Sequence, residues 1–440
     1  MAPLGLAPLP STVDDWFRSK GLEREEIGKS LLGRPLYIYK RKNTTETSPT
    51  VLFYSLIHGN EPFGLIALLQ AAEAILRDQA KAPINFVFFP IVNPDAYIMN
   101  LDLPRGCRRT NLRNVCPANS LSPPVQTCPR GSSKHGVDLN RNFGQDWELS
   151  SISCAYDYSG PVPFSEPESQ ALRDLVTTTP RLVASLSFHT RKSVVRDALL
   201  IHPFASRKHF NQMPAERQRL YRVWSNSIVA GLGYPTGTAD EAIHYTAAGA
   251  AIDWIDSKGV YAFVLEVQPP CHDRWCNPPN ETAISPACQW VFEQNRRANV
   301  LIGSRLVTLV ARDQTVFESA TDVVVFNDTT YKFDLQYTIS KARCAESLEL
   351  GRPALMPMSH LQRPDVLDPF RFDDGNMDDD FDWWFDIMNS DEARLLIPVF
   401  SMSTVMVAWI WCLLRITARR GRSRRAVPSE PNRKKTKERV

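Results

Sequence analysis

The stretch "SLIHGNEPFG", residues 55–64, ends an apolar run at His58, continues through Asn60 to Glu61, and opens a helical pattern at Pro62. An imidazole and a carboxylate at this i, i+3 spacing can share a metal ion or merely decorate a turn. A catalytic zinc takes three protein ligands and keeps one position open, so a third donor is needed. His189 closes a second apolar run, "RLVASLSFH". Both positions fall at the C-terminal ends of strand-like segments, where open α/β sheets collect their ligands.

Two further stretches carry groups that chemistry could use. In "HGVDLNRNFG", residues 135–144, Asn140 and Arg141 stand together in a polar loop. A guanidinium fork suits a carboxylate and an amide adds a donor. In "YAFVLEVQPP", Glu266 interrupts an apolar strand. A carboxylate there is costly unless it is paired, beside a metal or catalytic. Taken singly, each feature also fits a bland role, as a surface turn, a satisfied core histidine or a solvated loop.

The elements that must position these groups are legible in outline. Apolar strand-like runs occur at 35–40, 50–57, 84–92, 182–189, 197–204 and 260–267, and helical periodicity at 63–78, 165–178, 214–231 and 283–311. Short apolar runs alternating with long amphipathic helices predict an α/β unit over residues 11–311, with a mostly parallel or mixed sheet covered on both faces. Residues 103–134 lack periodicity and predict a long loop. Residues 312–344 suggest a short β-rich appendage around an Asn-Asp turn, and 345–394 an acidic stalk.

Composition sets the wider frame. The chain has 440 residues, 43% hydrophobic and 22% charged, with a net charge of +3. That balance suits a globular protein with a sizeable core. Residues 395–414, "LLIPVFSMSTVMVAWIWCLL", carry no charge. A helix of that length at about 1.5 Å per residue spans a bilayer core of roughly 30 Å. The basic residues 415–440 follow it, which predicts a cytoplasmic C-terminus and an extracellular or luminal catalytic part. The tail then reads as juxtamembrane rather than as a nucleic-acid arm.

Eight of the nine cysteines (Cys107, Cys116, Cys128, Cys154, Cys271, Cys276, Cys288 and Cys344) precede this segment, as do Asn-x-Thr sequons at Asn43, Asn280 and Asn327. Both suit a luminal side, where disulfides and glycans form. The start, "MAPLGLAPLPSTVDDWF", shows no signal peptide, so either the start is incomplete or the 395–414 segment directs insertion.

With "HGNE", "GVDLNRNF", "SFHT", "YTAAGAAIDW" and "FVLEV" in this order, residues 11–311 resemble the zinc carboxypeptidases, the family of carboxypeptidases A, B and E. The resemblance implies one α/β domain with a mixed, mostly parallel eight-stranded sheet between helices. It implies one zinc ion per chain held by His58, Glu61 and His189, and Glu266 as general base. Asn140 and Arg141 match the residues that hold the substrate's terminal carboxylate, and Tyr245 the tyrosine that closes over it. The arginine that polarises the scissile carbonyl is expected in "RRTNLRN", at Arg113 with Arg109 as its neighbour.

Ile252 matches the residue lining the pocket for the C-terminal side chain, and an apolar residue there implies a preference for aromatic or aliphatic ends. Three positions depart from the A-type pattern. Asn60 is E-like, and the charged pair Arg191–Lys192 replaces the usual pocket wall. The substrate implied is the C-terminus of a peptide or protein. The competing reading is a catalytically silent membrane receptor that binds peptide C-termini, although binding alone gives no chemical need for Glu266. A cytosolic enzyme acting on protein tails would need free cysteines and no membrane segment.

Overall fold

A computed structural model describes residues 4–5, 7–41, 47–78, 84–102, 108–116, 136–150, 153, 155–191, 198–206, 212–269, 286–312 and 337–338. The chain divides into two units, Met1–Leu367 and Asp368–Val440, and all described residues belong to the first. Besides a short parallel pairing of β1 (Leu4–Gly5) with β10 (Tyr337–Thr338), the strands form a single sheet. They are β2 (Glu23–Lys29), β3 (Pro35–Arg41), β4 (Thr50–Ser55), β5 (Asn85–Phe89), β6 (Leu182–Thr190), β7 (Leu199–Ile201), β8 (Thr236–Gly237) and β9 (Tyr261–Val267).

Their order is β2-β3-β5-β4-β6-β9-β7-β8. Strands β5, β4, β6 and β9 run parallel to one another, and so do β7 and β8; the β2–β3, β3–β5 and β7–β9 pairings are antiparallel. The sheet is therefore mixed, with a parallel centre buried on both faces.

Helices cover both sides. On one face α1 (Pro10–Ser19), α2 (Pro62–Asp78), α5 (Ala215–Ile228) and α8 (Pro286–Ala311) pack over Phe53, Phe88, Phe188 and Phe263. On the other, α4 (Pro167–Thr178) and α7 (Ala251–Asp256) pack over Leu52, Tyr54, Ala262 and Val264. The remaining helices are α3 (Pro94–Asp102) and α6 (Ala239–Ile243). Five of the described helices, α1, α2, α3, α4 and α8, begin with proline, whose fixed φ and missing N–H suit the first helical position. Each large side chain buried in these layers contributes roughly 1.5–3 kcal/mol.

All six strands and four helices read from the sequence are present, shifted at their ends by a few residues. Strand β2 escaped that reading because "EREEIGK" is an exposed edge with no apolar alternation. Its backbone pairs with β3, and Lys40 crosses to Glu25 at 2.7 Å. Such charged edges resist unwanted pairing. Helices α1, α3, α6 and α7 were missed as well.

Among the described residues no helix is long and apolar enough to cross a membrane. The expected membrane segment at 395–414, the stalk, the basic tail and the three sequons lie outside the described residues, as does the 312–344 appendage apart from 312 and 337–338. Cys116 is disulfide-bonded.

Candidate active site

Period-2 alternation fixes which strand residues share a face. In β6, Leu186 and Phe188 enter the core beneath α2, which leaves Ser187 and His189 on the opposite face. In β9, Phe263 and Leu265 do the same and leave Val264 and Glu266 beside them. The register pairs His189 with Glu266 directly. His189 is buried and Glu266 half-buried.

His58 and Glu61 arrive from the neighbouring strand. After β4 the chain turns through Leu56 at φ 51, and Pro62 begins α2 immediately beyond Glu61. Gly64 lets that helix lie against β6, since a Cβ there would stand 2.5 Å from the carbonyl oxygen of Phe188. Gly59 permits a similar approach, because its Cβ would meet Ala96 at 2.3 Å and the Arg108 carbonyl oxygen at 2.9 Å. Gly64 thus brings the β4 and β6 ends together, and Gly59 seats the intervening turn against α3 and Arg108.

At that point three donors converge. Nδ1 of His58 lies 2.9 Å from Glu61 Oε1, Nδ1 of His189 lies 3.0 Å from Glu61 Oε2, and the two Nδ1 atoms are 3.2 Å apart. Tetrahedral ligands at ~2.0–2.1 Å from zinc stand roughly 3.3 Å from each other, so the set fits the ion closely. Among the described residues this is the group that could hold a metal. The backbone N–H of Thr190 donates to Glu61 Oε2 at 3.3 Å and steadies the carboxylate.

The tautomer of His58 is set by a residue the sequence reading passed over. Asp138 is fully buried, and its Oδ1 lies 3.2 Å from Nε2 of His58. A proton on Nε2 directed at Asp138 leaves the Nδ1 lone pair free for a metal, an outer-shell device common at zinc sites. The signal was present in "GVDLNRNF", where Asp138 caps the turn Leu139–Arg141 by accepting the N–H of Asn140 at 2.9 Å.

Electrostatics agree with the geometry. Burial alone would raise Glu61, but His58 and His189 hold its carboxyl well below the usual range. Burial likewise opposes the charged form of Asp138, and Arg109, His58 and Arg141 together hold it ionised far below the usual carboxylate range. His189 is displaced upward: burial pulls it down, and Glu61 more than offsets that by hydrogen bond and charge, with Glu266 adding to it.

Arg109, rather than Arg113, reaches this cluster. Its Nε donates to Asp138 Oδ2 at 3.0 Å and its Nη1 to Glu61 Oε1 at 3.2 Å. Arg113 turns away, its Nε held by both oxygens of Glu166 at 2.8 and 2.7 Å. Between them, the Asn111 side chain accepts from Val137 N–H at 2.9 Å and donates to Glu166 at 2.6 Å.

Arg141 is buried, and its guanidinium donates to the Tyr245 hydroxyl and stacks 5.5 Å from that ring. Its Nη1 also donates to the Asn140 carbonyl at 2.9 Å. Asn140 accepts the N–H of Ala251 at 3.0 Å, which ties this turn to the start of α7 beside buried Ile252. Tyr245 is 45% exposed, so its ring stands at the mouth. Asn60 is buried, Arg191 is held by its backbone to the Val267 carbonyl at 2.9 Å, and Lys192 lies outside the described residues.

A three-layer α/β fold with a His-Glu-His cluster and an arginine–tyrosine pair at the strand ends defines a metallopeptidase-like site. The zinc carboxypeptidase family model matches residues 18–294, more than half of the chain. The chain belongs to the zinc carboxypeptidase family and is a metallocarboxypeptidase hydrolase. Carboxypeptidase B of Astacus astacus is 26% identical over 285 residues, 61% of this chain and 86% of that protein. Carboxypeptidase A2 of Mus musculus is 26% identical over 263 residues, 56% of this chain and 57% of that protein, so the chain spans little more than half of it.

Among solved structures, carboxypeptidase A from Helicoverpa armigera matches with a TM-score of 0.54 at 20% identity, covering 71% of this chain and 74% of that one. Bovine thrombin-activatable fibrinolysis inhibitor, solved with tick carboxypeptidase inhibitor, matches with a TM-score of 0.51 at 22% identity, covering 70% of this chain and 97% of that one. Both show likeness of fold.

Proposed function

We propose that this chain removes the C-terminal residue of extracellular or luminal peptides, with a preference for aromatic or aliphatic ends. The observation that carries the reading is the meeting of His58, Glu61 and His189 beside Glu266, with Arg141 and Tyr245 joined at the mouth. Zinc held by the three ligands would polarise the scissile carbonyl and lower the pKa of a water to about 7.

The chain's own groups do the rest. Arg141 and Asn140 take the free carboxylate, which restricts attack to the last peptide bond. Tyr245 donates its hydroxyl over the bound end. Arg109, already charged and aimed by Asp138, offsets negative charge developing on the carbonyl oxygen, an effect worth several kcal/mol. Glu266 takes the water's proton on its carboxylate and delivers it to the leaving amine nitrogen. Ile252, buried at the start of α7, gives the side-chain pocket an apolar lining.

We further propose that residues 395–414 anchor the enzyme, with residues 415–440 cytoplasmic and the eight preceding cysteines on the oxidising side. The apolar run, the basic residues after it and the sequons before it support this topology. Two experiments test the proposal. Ile252→Asp is expected to shift release from Phe- and Leu-ending peptides toward Lys and Arg; an unchanged preference would remove Ile252 from the pocket. Thiol labelling without reductant is expected to leave the eight cysteines unreacted, and eight reactive thiols would sink the luminal topology.

A further inference from the structure

Asp253 follows Ile252 in α7 and is fully buried. Its Oδ1 accepts the N–H of Ala205 at 2.7 Å, and its Oδ2 accepts the N–H of Ser206 at 2.8 Å. The Ser206 hydroxyl lies 2.5 Å from that second oxygen and 2.8 Å from Asp146 Oδ2. Ala205 reaches onward through its carbonyl, which accepts the N–H of Ala247 at 2.8 Å.

Three segments therefore meet at one carboxylate: the turn running from Arg141 to Asp146, the stretch 202–206, and the stretch from Tyr245 into α7. Two more bonds close the junction, Phe143 N–H to the Gly249 carbonyl at 3.0 Å and Ala251 N–H to Asn140 Oδ1 at 3.0 Å. Ala205, Ala247, Ala250 and Ile252 belong to one apolar cluster on this face of the sheet.

Stability alone does not call for such a junction. Burying a carboxylate is expensive, and a well-packed apolar side chain can hold a helix to a loop at less cost. A carboxylate with two directional oxygens does something that apolar packing cannot: it fixes two successive backbone N–H groups at set distances. The Ser206 hydroxyl, with a single proton between two carboxylates, adds the clamp-bearing turn to the same arrangement.

We propose that Asp253, acting through Ser206 and Asp146, is a positioning residue that sets the wall of the pocket for the substrate's C-terminal side chain. It touches no substrate. It holds the backbone of Ala205 and Ser206 against the segment bearing Ile252, so that pocket width is fixed before a peptide arrives. The ligands affected are apolar C-terminal side chains, and the property set is discrimination by size. This inference rests on the carboxypeptidase reading above.

The test uses the full-length, zinc-loaded chain and two peptides that differ only in ending with Phe or with Ala. Values of kcat and KM are measured for the wild type, Asp253→Asn, Ser206→Ala and Asp146→Asn. Loss of one charge-assisted bond in Asp253→Asn is expected to raise KM for the Phe peptide about tenfold, with kcat within about threefold and the Ala peptide little affected. Ser206→Ala and Asp146→Asn are expected to move the Phe-to-Ala ratio the same way by a smaller factor. Ser206→Ala keeps both backbone bonds to Asp253 and carries the test where Asp253→Asn does not fold. Equal losses on both peptides, or an unmoved ratio in the variants that fold, would overturn the proposal while leaving the enzyme intact. A wild type that releases neither residue would remove the carboxypeptidase reading and this inference together.

Discussion

His58 and Asp138, 80 residues apart in sequence, meet at 3.2 Å through Nε2 and Oδ1, and this contact decides which nitrogen of His58 faces the metal cluster. Asp138→Asn keeps the shape but can present an amide donor to Nε2, which favours the wrong tautomer. Zinc affinity is expected to fall about 10- to 100-fold, as for other outer-shell partners of zinc ligands. Competition with a chelator followed by metal counting checks this.

Arg109 and Arg113 of "RRTNLRN" are expected to behave oppositely. Arg109→Ala should lower kcat by about 10²–10³-fold, the usual effect of losing one donor to a developing oxyanion. Arg113→Ala should leave kcat within a few-fold and lower stability by about 1–3 kcal/mol, because buried Glu166 loses a partner. Steady-state kinetics and denaturant titration on both variants separate the two roles.

Gly64→Ala tests the close approach that brings Glu61 to His189. The added Cβ would stand 2.5 Å from the Phe188 carbonyl oxygen, so α2 must move off β6. A loss of about 1–3 kcal/mol is expected from overpacking, together with weaker zinc binding. Thermal unfolding with and without zinc reads both effects.

Two buried carboxyls away from the metal cluster predict the pH dependence of stability. Burial pushes Glu168 up to about 7, aided by Glu166 and Asp95 and opposed by the Leu31 N–H. Burial pushes Asp253 up to about 6, aided by Asp146 and opposed by its bonds to Ser206 and Ala205. Both values exceed those of the unfolded chain, so the native state binds the extra protons. The stability they contribute is complete below about pH 4 and is lost as pH rises through about 6 to 7. Glu168 alone accounts for roughly 3 kcal/mol of that change. Denaturant titration of Glu168→Gln between pH 5 and 8 is expected to give a flatter curve than the wild type.

Much of the centre of this fold was legible because burial leaves a mark on sequence. The runs that became β4 and β9 are apolar on both faces, β6 is apolar on the face beneath α2, and Glu266 stood out by breaking the β9 run. His58, Glu61 and His189 were visible at strand ends. The edges were not legible: β2 is polar along its length and is held by backbone pairing that no side-chain pattern records. The choice between Arg113 and Arg109 was not legible, because only the folded chain shows that Arg109 meets Asp138 and Glu61 while Arg113 meets Glu166. Asp138 was missed for a similar reason, since its partner is 80 residues away and only the folded chain brings them together.

The central claim is tested most directly by one experiment on the full-length chain. Zinc is counted, and release of the C-terminal residue is followed from short peptides ending in Phe, Leu, Lys or Glu, with Glu266→Gln alongside. One zinc per chain is expected in both proteins, with release of Phe and Leu by the wild type and none by Glu266→Gln. Bound zinc with no release from any peptide, or full release by Glu266→Gln, would contradict that claim.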